Sequence, residues 1–225
     1  MALLSFLFGR PNSSDPAAFE EFLSSRAAFV AQKTVLDYCR VKSGAYEKKV
    51  FADPDFVAAL QHCRWQVFLA ALADMAGLAE AWLRPHCPGQ ETALAERLAA
   101  WHAGALAGQD IPESERESAE AAQRAMPVHM AQIQEAPPCP AHRRPLLAEA
   151  PLFATLPVHP DQRRGEGLAI RGALRFHIVS AQQAMELGFD PAGLCAALLR
   201  QHAADSTGAA NPPPAPNLLG LGGAL

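Results

Sequence analysis

From Phe56 to Leu83 the chain reads FVAALQHCRWQVFLAALADMAGLAEAWL, an apolar run with a few polar positions lodged in it. At about 100° per residue, His62, Gln66, Glu80 and Arg84 fall on one narrow strip. Leu60, Cys63, Trp65, Val67, Phe68, Leu72, Met75, Leu78 and Trp82 cover most of the remaining circumference. A helix that is apolar nearly all round is buried in a protein or in a bilayer. The run is long enough to span, but Arg64 and Asp74 would each cost roughly 2.5–3.5 kcal/mol near a bilayer centre. The pattern therefore predicts the central helix of a bundle, started by the Asp53-Pro54 pair and stopped by Pro85 and Pro88.

The same grammar recurs along the chain. Asp15-Pro16 opens a first helix that runs to about Lys42, where Ser43-Gly44 ends or kinks it. A third helix is predicted from Gln90 to Ala107, with Leu94, Leu98 and Trp101 on one face. A fourth starts near Pro112; its first turns, ESERESAEAAQR, read as solvated, and Pro127 breaks or kinks it. Between residues 136 and 160 stand seven prolines, which exclude a continuous helix or a central strand. That stretch reads as an extended wrap or linker anchored by Phe153, Leu156 and Val158. Two helices follow, about 166–187 and 191–204, the second opened by Asp190-Pro191.

The expected fold is all-α: an irregular bundle of five or six helices in a single domain, residues 1–204. It divides into a main bundle (13–135), the Pro-rich segment (136–160) and C-terminal helices (161–204), followed by a Pro/Gly/Ala-rich disordered tail, 205–225.

Composition narrows the function classes. The 225 residues are 50% hydrophobic and 19% charged with a net charge of −4, so the concentrated basic face of a nucleic-acid binder is not expected. MALLSFLFGR lacks the basic n-region of a secretory signal. It reads as a tip packed on the bundle or on a partner; peripheral membrane contact through residues 1–10 is the second reading, disfavoured by the absence of a Lys/Arg-rich face. Cys39, Cys63, Cys87, Cys139 and Cys195 are odd in number and widely scattered, which argues against a disulfide framework and for a reducing, cytoplasmic setting. No CxxC or HxxxH accompanies them, so no metal site is read.

Arg64 stands out because it sits in the apolar face of the central helix. The first helix carries Arg26, Lys33, Asp37 and Arg40 among Phe19, Phe22, Phe29, Val30 and Leu36. Arg26, Lys33, Arg40 and Arg64 could therefore converge between the first two helices, with Asp37 and Asp74 as counter-charges. That cluster would be snorkelling side chains, a buried ion-pair network or an anion pocket.

Two short resemblances come from other motifs. LDYCRVKSGAY, with Tyr38-Cys39 and Gly44, resembles the YCxxxAG segment of squalene and phytoene synthases, which are all-helical. That family holds Mg²⁺ and diphosphate with paired aspartate motifs, and Asp53-Pro54-Asp55 lacks the DxxxD spacing that puts two carboxylates one turn apart. VHPDQRRGEG, with Gln162, Gly165 and Gly167, resembles the pyrophosphate loop of GNAT acetyltransferases, which implies an acyltransferase using backbone N–H groups at a helix start. The resemblance requires strands before the loop.

No Ser/His/Asp or Cys/His set and no GxSxG elbow stands out, so the chain reads as non-enzymatic with no cofactor. The leading expectation is a cytoplasmic accessory, adaptor or assembly protein working through an apolar groove on an unidentified protein partner. A helical enzyme or binding protein for an anionic small molecule is the competing class, and the acyltransferase the third.

Overall fold

The computed structural model describes residues 12–208, and these form an all-α fold. The elements are α1 (Pro16–Ser43), the single turn α2 (Glu47–Val50), α3 (Pro54–Leu83), α4 (Glu91–Ala107), α5 (Glu113–Gln134), α6 (Glu149–Thr155), α7 (Gly167–Gly188) and α8 (Pro191–Ser206). Short 3₁₀ turns precede α2, follow α3 and precede α7. The expected disordered tail and the N-terminal tip fall largely outside the described residues; of the tail, residues 205 and 206 still belong to α8.

The Asp-Pro pairs act as the sequence suggests. The carboxylates of Asp15, Asp53 and Asp190 accept backbone N–H groups of Ala17, Asp55 with Phe56, and Gly193 respectively. Each satisfies donors that a helix start leaves free, a device that stabilises by about 1 kcal/mol. Gly44 ends α1 at φ 50°, a conformation side chains other than glycine rarely adopt.

α3 is the axis of the molecule. It packs most extensively on α1 and also on α5, α6, α4 and α8. Leu60, Val67, Phe68, Leu72, Met75 and Leu83 are fully enclosed; side chains of this kind stabilise by about 1.5–3 kcal/mol each when taken out of water. The run Pro54–His86 is apolar enough to cross a bilayer, but 78% of its most apolar window is covered by the rest of the chain. α3 and α5 run in the same direction, since His62 meets Glu115 near their starts and Arg84 meets the Ile133 and Ala136 carbonyls near their ends. α4 is the return stroke between them.

Three expectations are corrected. Of the two readings for Pro127, a break or a kink, the break is overturned: α5 continues through it to Gln134. The Pro-rich segment is not wholly extended: Glu149–Thr155 forms α6, with Pro151 in the first turn, where its missing N–H is harmless. Of its expected anchors, Leu156 and Val158 are buried and Phe153 is partly buried against the core, and Leu152, fully enclosed, is a further one. Last, Cys87 and Cys195 form a disulfide with Cα atoms 6.3 Å apart, although 108 residues separate them in sequence. The turn after α3 and the second turn of α8 meet only in the folded chain. The premise of five unpaired cysteines, on which the reducing compartment rested, therefore fails for two of them; Cys39 and Cys63 are free and buried.

Candidate functional site

The polar strip of α3 is a seam. His62 Nδ1 lies 2.7 Å from Glu115 Oε1, and Gln66 donates to Glu115 Oε2 at 2.8 Å and to Ser118 Oγ at 3.0 Å. Glu115 is buried, so His62 and Gln66 together supply the hydrogen bonds its carboxylate would otherwise take from water. At the other end Glu80, fully enclosed, accepts two bonds from Arg84 at 2.7 and 2.9 Å and one from Gln134 at 3.2 Å.

Between these two polar ends the helices part. A groove of about 650 Å³ opens there, with Leu69, Ala70 and Ala73 of α3, Ala122, Ala125 and Met126 of α5, and Leu147 and Pro151 at the start of α6. Small side chains keep it open: alanines face it from both α3 and α5. Gln66 and Ser118 stand at one end, and His129 and Gln132 toward the other. Val128 and Leu147 form an apolar rim, 60% and 42% exposed.

The wall behind the groove is a buried polar cluster. Asp74 Oδ1 and Oδ2 accept the backbone N–H groups of Leu147 at 2.8 Å and Ala148 at 3.0 Å, fastening the Pro-rich segment to α3. Burial pushes the Asp74 carboxyl up to about 6 against those two bonds and the Arg144 charge. Arg144 donates to the Gly77 carbonyl. A Cβ at position 77 would fall 2.3 Å from Arg144 Nη2, so glycine is what lets the guanidinium reach the backbone. Arg175 closes the arrangement by donating to the Ala141 and Arg144 carbonyls at 2.7 and 2.8 Å. Burial and the nearby Arg144 charge lower the His129 pKa, and His129 Nε2 has no partner among the described residues. His102, fully enclosed on α4, has neither nitrogen bonded among the described residues, and burial followed by His129 takes it down to about 4.

The sequence-predicted charges do not assemble into this or any one site. Arg26 lies over the Phe22 ring at 5.2 Å. Lys33 pairs with Asp37 at 2.7 Å on the half-exposed side of α1. Arg40 reaches Glu47 at 3.4 Å across the turn. Arg64 is buried with Nε unbonded, and no ion pair to it forms among the described residues; burial alone lowers its pKa. Asp74 serves the Pro-rich segment. Lys33, Asp37 and Tyr38 do line a smaller groove of about 240 Å³ against Ala169, Ile170, Ala173 and His177 of α7, but Arg26, Arg40 and Arg64 do not.

The two resembling segments have structural surroundings. Tyr38 donates to Glu166 at 2.7 Å, and Lys42 does the same, tying α1 to the start of α7. Gln162 lies in a 3₁₀ turn, and no strand flanks its loop among the described residues, so the framework an acetyltransferase loop requires is not met there. No three His, Cys, Asp or Glu side chains are placed to hold a metal among the described residues. Ser118 Oγ takes its bond from Gln66, not from His62, so a nucleophile–base pair is not assembled at the groove.

Sequence reasoning missed Ser118, Ala122, Ala125, His129 and Gln132. The available signal was a row on α5 at helical spacing, small or uncharged amid charged neighbours. No protein-family model, no curated protein and no solved structure matches the chain.

Proposed function

We propose that this protein acts by binding, as a non-enzymatic accessory or adaptor protein, and that the groove between α3, α5 and α6 is its working surface. One observation carries the reading: an apolar groove of about 650 Å³ with exposed Val128 and Leu147 on its rim and a few polar groups at its ends. Binding sites have this size and this balance of apolar lining with sparse polar positions. The buried cluster behind it gives the groove a rigid wall, because Asp74, Gly77 and Arg144 lock the Pro-rich segment in place.

The test is to fill the groove. Ala125 is solvent-exposed on the groove wall, so enlarging it does not disturb the core. An apolar fluorescent dye such as anilinonaphthalene sulfonate should bind the wild-type chain with an increase in emission that Ala125→Phe removes. Identical titrations for the two proteins would refute the assignment.

A further inference from the structure

We infer that the occupant of the groove is an amphipathic helix of a partner protein, about four turns long, carrying a basic residue at the Ser118 end; this rests on the groove being the working surface. Length comes first. The groove follows α5 from Ser118 to Gln132, about 21 Å at the helical rise, which is the length of a four-turn helix. A helix lays apolar side chains at i, i+3, i+4 and i+7 into such a trough. The alanines at positions 70, 73, 122 and 125 allow its backbone to come close.

The rim argues against a single-chain lipid. A linear acyl chain lying on the floor would leave Val128 and Leu147 in water, and it would have its one polar head at one end. Here the polar groups stand at both ends, Gln66 with Ser118 and His129 with Gln132, and the apolar rim is outermost. A helix covers the rim and has polar flanks along its whole length.

Charge sets the register. Glu117, Arg124 and Val128 fall in one row on α5, within about 40° of each other by helical geometry, so Glu117 and Arg124 share the rim that Val128 marks. Arg124 has an exposed partner in Glu120 at 3.5 Å. Glu117 is exposed and makes no ion pair among the described residues. A lysine or arginine on the incoming helix beside Glu117 completes the match, a contribution to register and encounter more than to affinity.

The experiment uses the full chain and three labelled probes. Two are sixteen-residue amphipathic peptides with the same leucine anchors, one with lysine and one with glutamate in the flanking position; the third is a fluorescent sixteen-carbon fatty acid. The lysine peptide should bind saturably by fluorescence anisotropy. Ala125→Phe should weaken it at least about tenfold, as blocking a central anchor does. Glu117→Lys should weaken it about fivefold, in line with an exposed charge pair, while strengthening the glutamate peptide. Ala122→Leu, on the floor, is a second filling variant if the phenylalanine perturbs folding, which circular dichroism would report. Fatty-acid binding lost on filling, with neither peptide bound, overturns the helix and leaves the groove standing. Peptide binding indifferent to both Ala125→Phe and Glu117→Lys also overturns it. Indifference of every probe to filling removes the groove as well.

Discussion

Arg64 and Arg144 are both buried arginines close to α3, and their surroundings are opposite. Arg144 comes from the Pro-rich segment and meets α3 where Gly77 exposes a carbonyl, with the Asp74 and Glu80 carboxylates nearby. Arg64 belongs to α3 itself, where it is buried, and no ion pair to it forms among the described residues. A helix carbonyl keeps a lone pair beyond its helical bond, and at Gly77 no Cβ stops Arg144 from reaching it, whereas Arg64, growing out of α3 itself, depends on what the neighbouring elements bring. An irregular segment carries uncommitted backbone groups of its own, and it can be locked in place by few contacts. The crossing of the Pro-rich segment is therefore the place where polar groups carry stability, and the Arg64 stretch is where apolar packing carries it in spite of one.

The largest effect is expected from Asp74→Ala. It leaves the Leu147 and Ala148 N–H groups without acceptors beside a buried guanidinium. Each buried unsatisfied donor costs about 1–3 kcal/mol, so a loss of about 3 kcal/mol is expected in urea unfolding. Binding to the groove should fall with it, because those bonds hold Leu147 and Ala148, and with them the start of α6 that brings Pro151 to the groove. A loss under about 1 kcal/mol, the worth of a single exposed contact, would mean that the segment is held by its apolar anchors instead.

How much of this was legible in the sequence divides along the same line. Helix starts were, because Asp15, Asp53 and Asp190 act on donors two or three residues away. The His62, Gln66, Glu80 and Arg84 strip was also legible, because helical angle is a local property, and it proved to be the seam with α5. The partners of that strip were not, since Glu115 and Ser118 arrive from helix turns that read as solvated and Gln134 from beyond Pro127, where a break or kink was expected. The groove was half legible: the small, uncharged row on α5 could be read at helical spacing, but it marks no groove until α3 and its alanines are placed beside it. The Cys87–Cys195 disulfide closes over 108 residues, and no spacing rule reaches that far. α6 was hidden by counting prolines without asking which would fall in a first turn.

A smaller effect is expected from pH. His102 has a folded pKa of about 4, below its ordinary 6.5, because burial penalises the imidazolium. The unfolded chain then binds the proton first as acid is added. The stability this residue contributes is complete above pH 6.5 and is lost as the pH falls toward 4. Asp74 has the opposite sign: its folded pKa, about 6, exceeds 3.8, so its contribution is complete below pH 3.8 and declines as the pH rises through 6. The two partly cancel in the wild type, and the His102 share is visible only against a variant. His102→Phe should be at least as stable at pH 7, since two unbonded nitrogens leave the core. At pH 4.5 the variant should lead by about 2 kcal/mol more than at pH 7. Parallel urea midpoints across that range would remove His102 as an acid-sensitive element.

The smallest effect is expected at Arg64, and it completes the contrast. Removing one member of a buried ion pair costs on the order of 3–5 kcal/mol because the other charge is stranded. Arg64 strands nothing, since no carboxylate pairs with it among the described residues. Its stem packs and its guanidinium is poorly hydrated, a cost to the folded state that a methionine of similar length would not incur. Arg64→Met should therefore change stability by less than about 1 kcal/mol, the range of volume-conserving core replacements, and in the stabilising direction. A loss comparable to that of Asp74→Ala would place Arg64 with Arg144 as a charge the fold depends on. The distinction between the helical and the irregular neighbourhood of α3 would then fall.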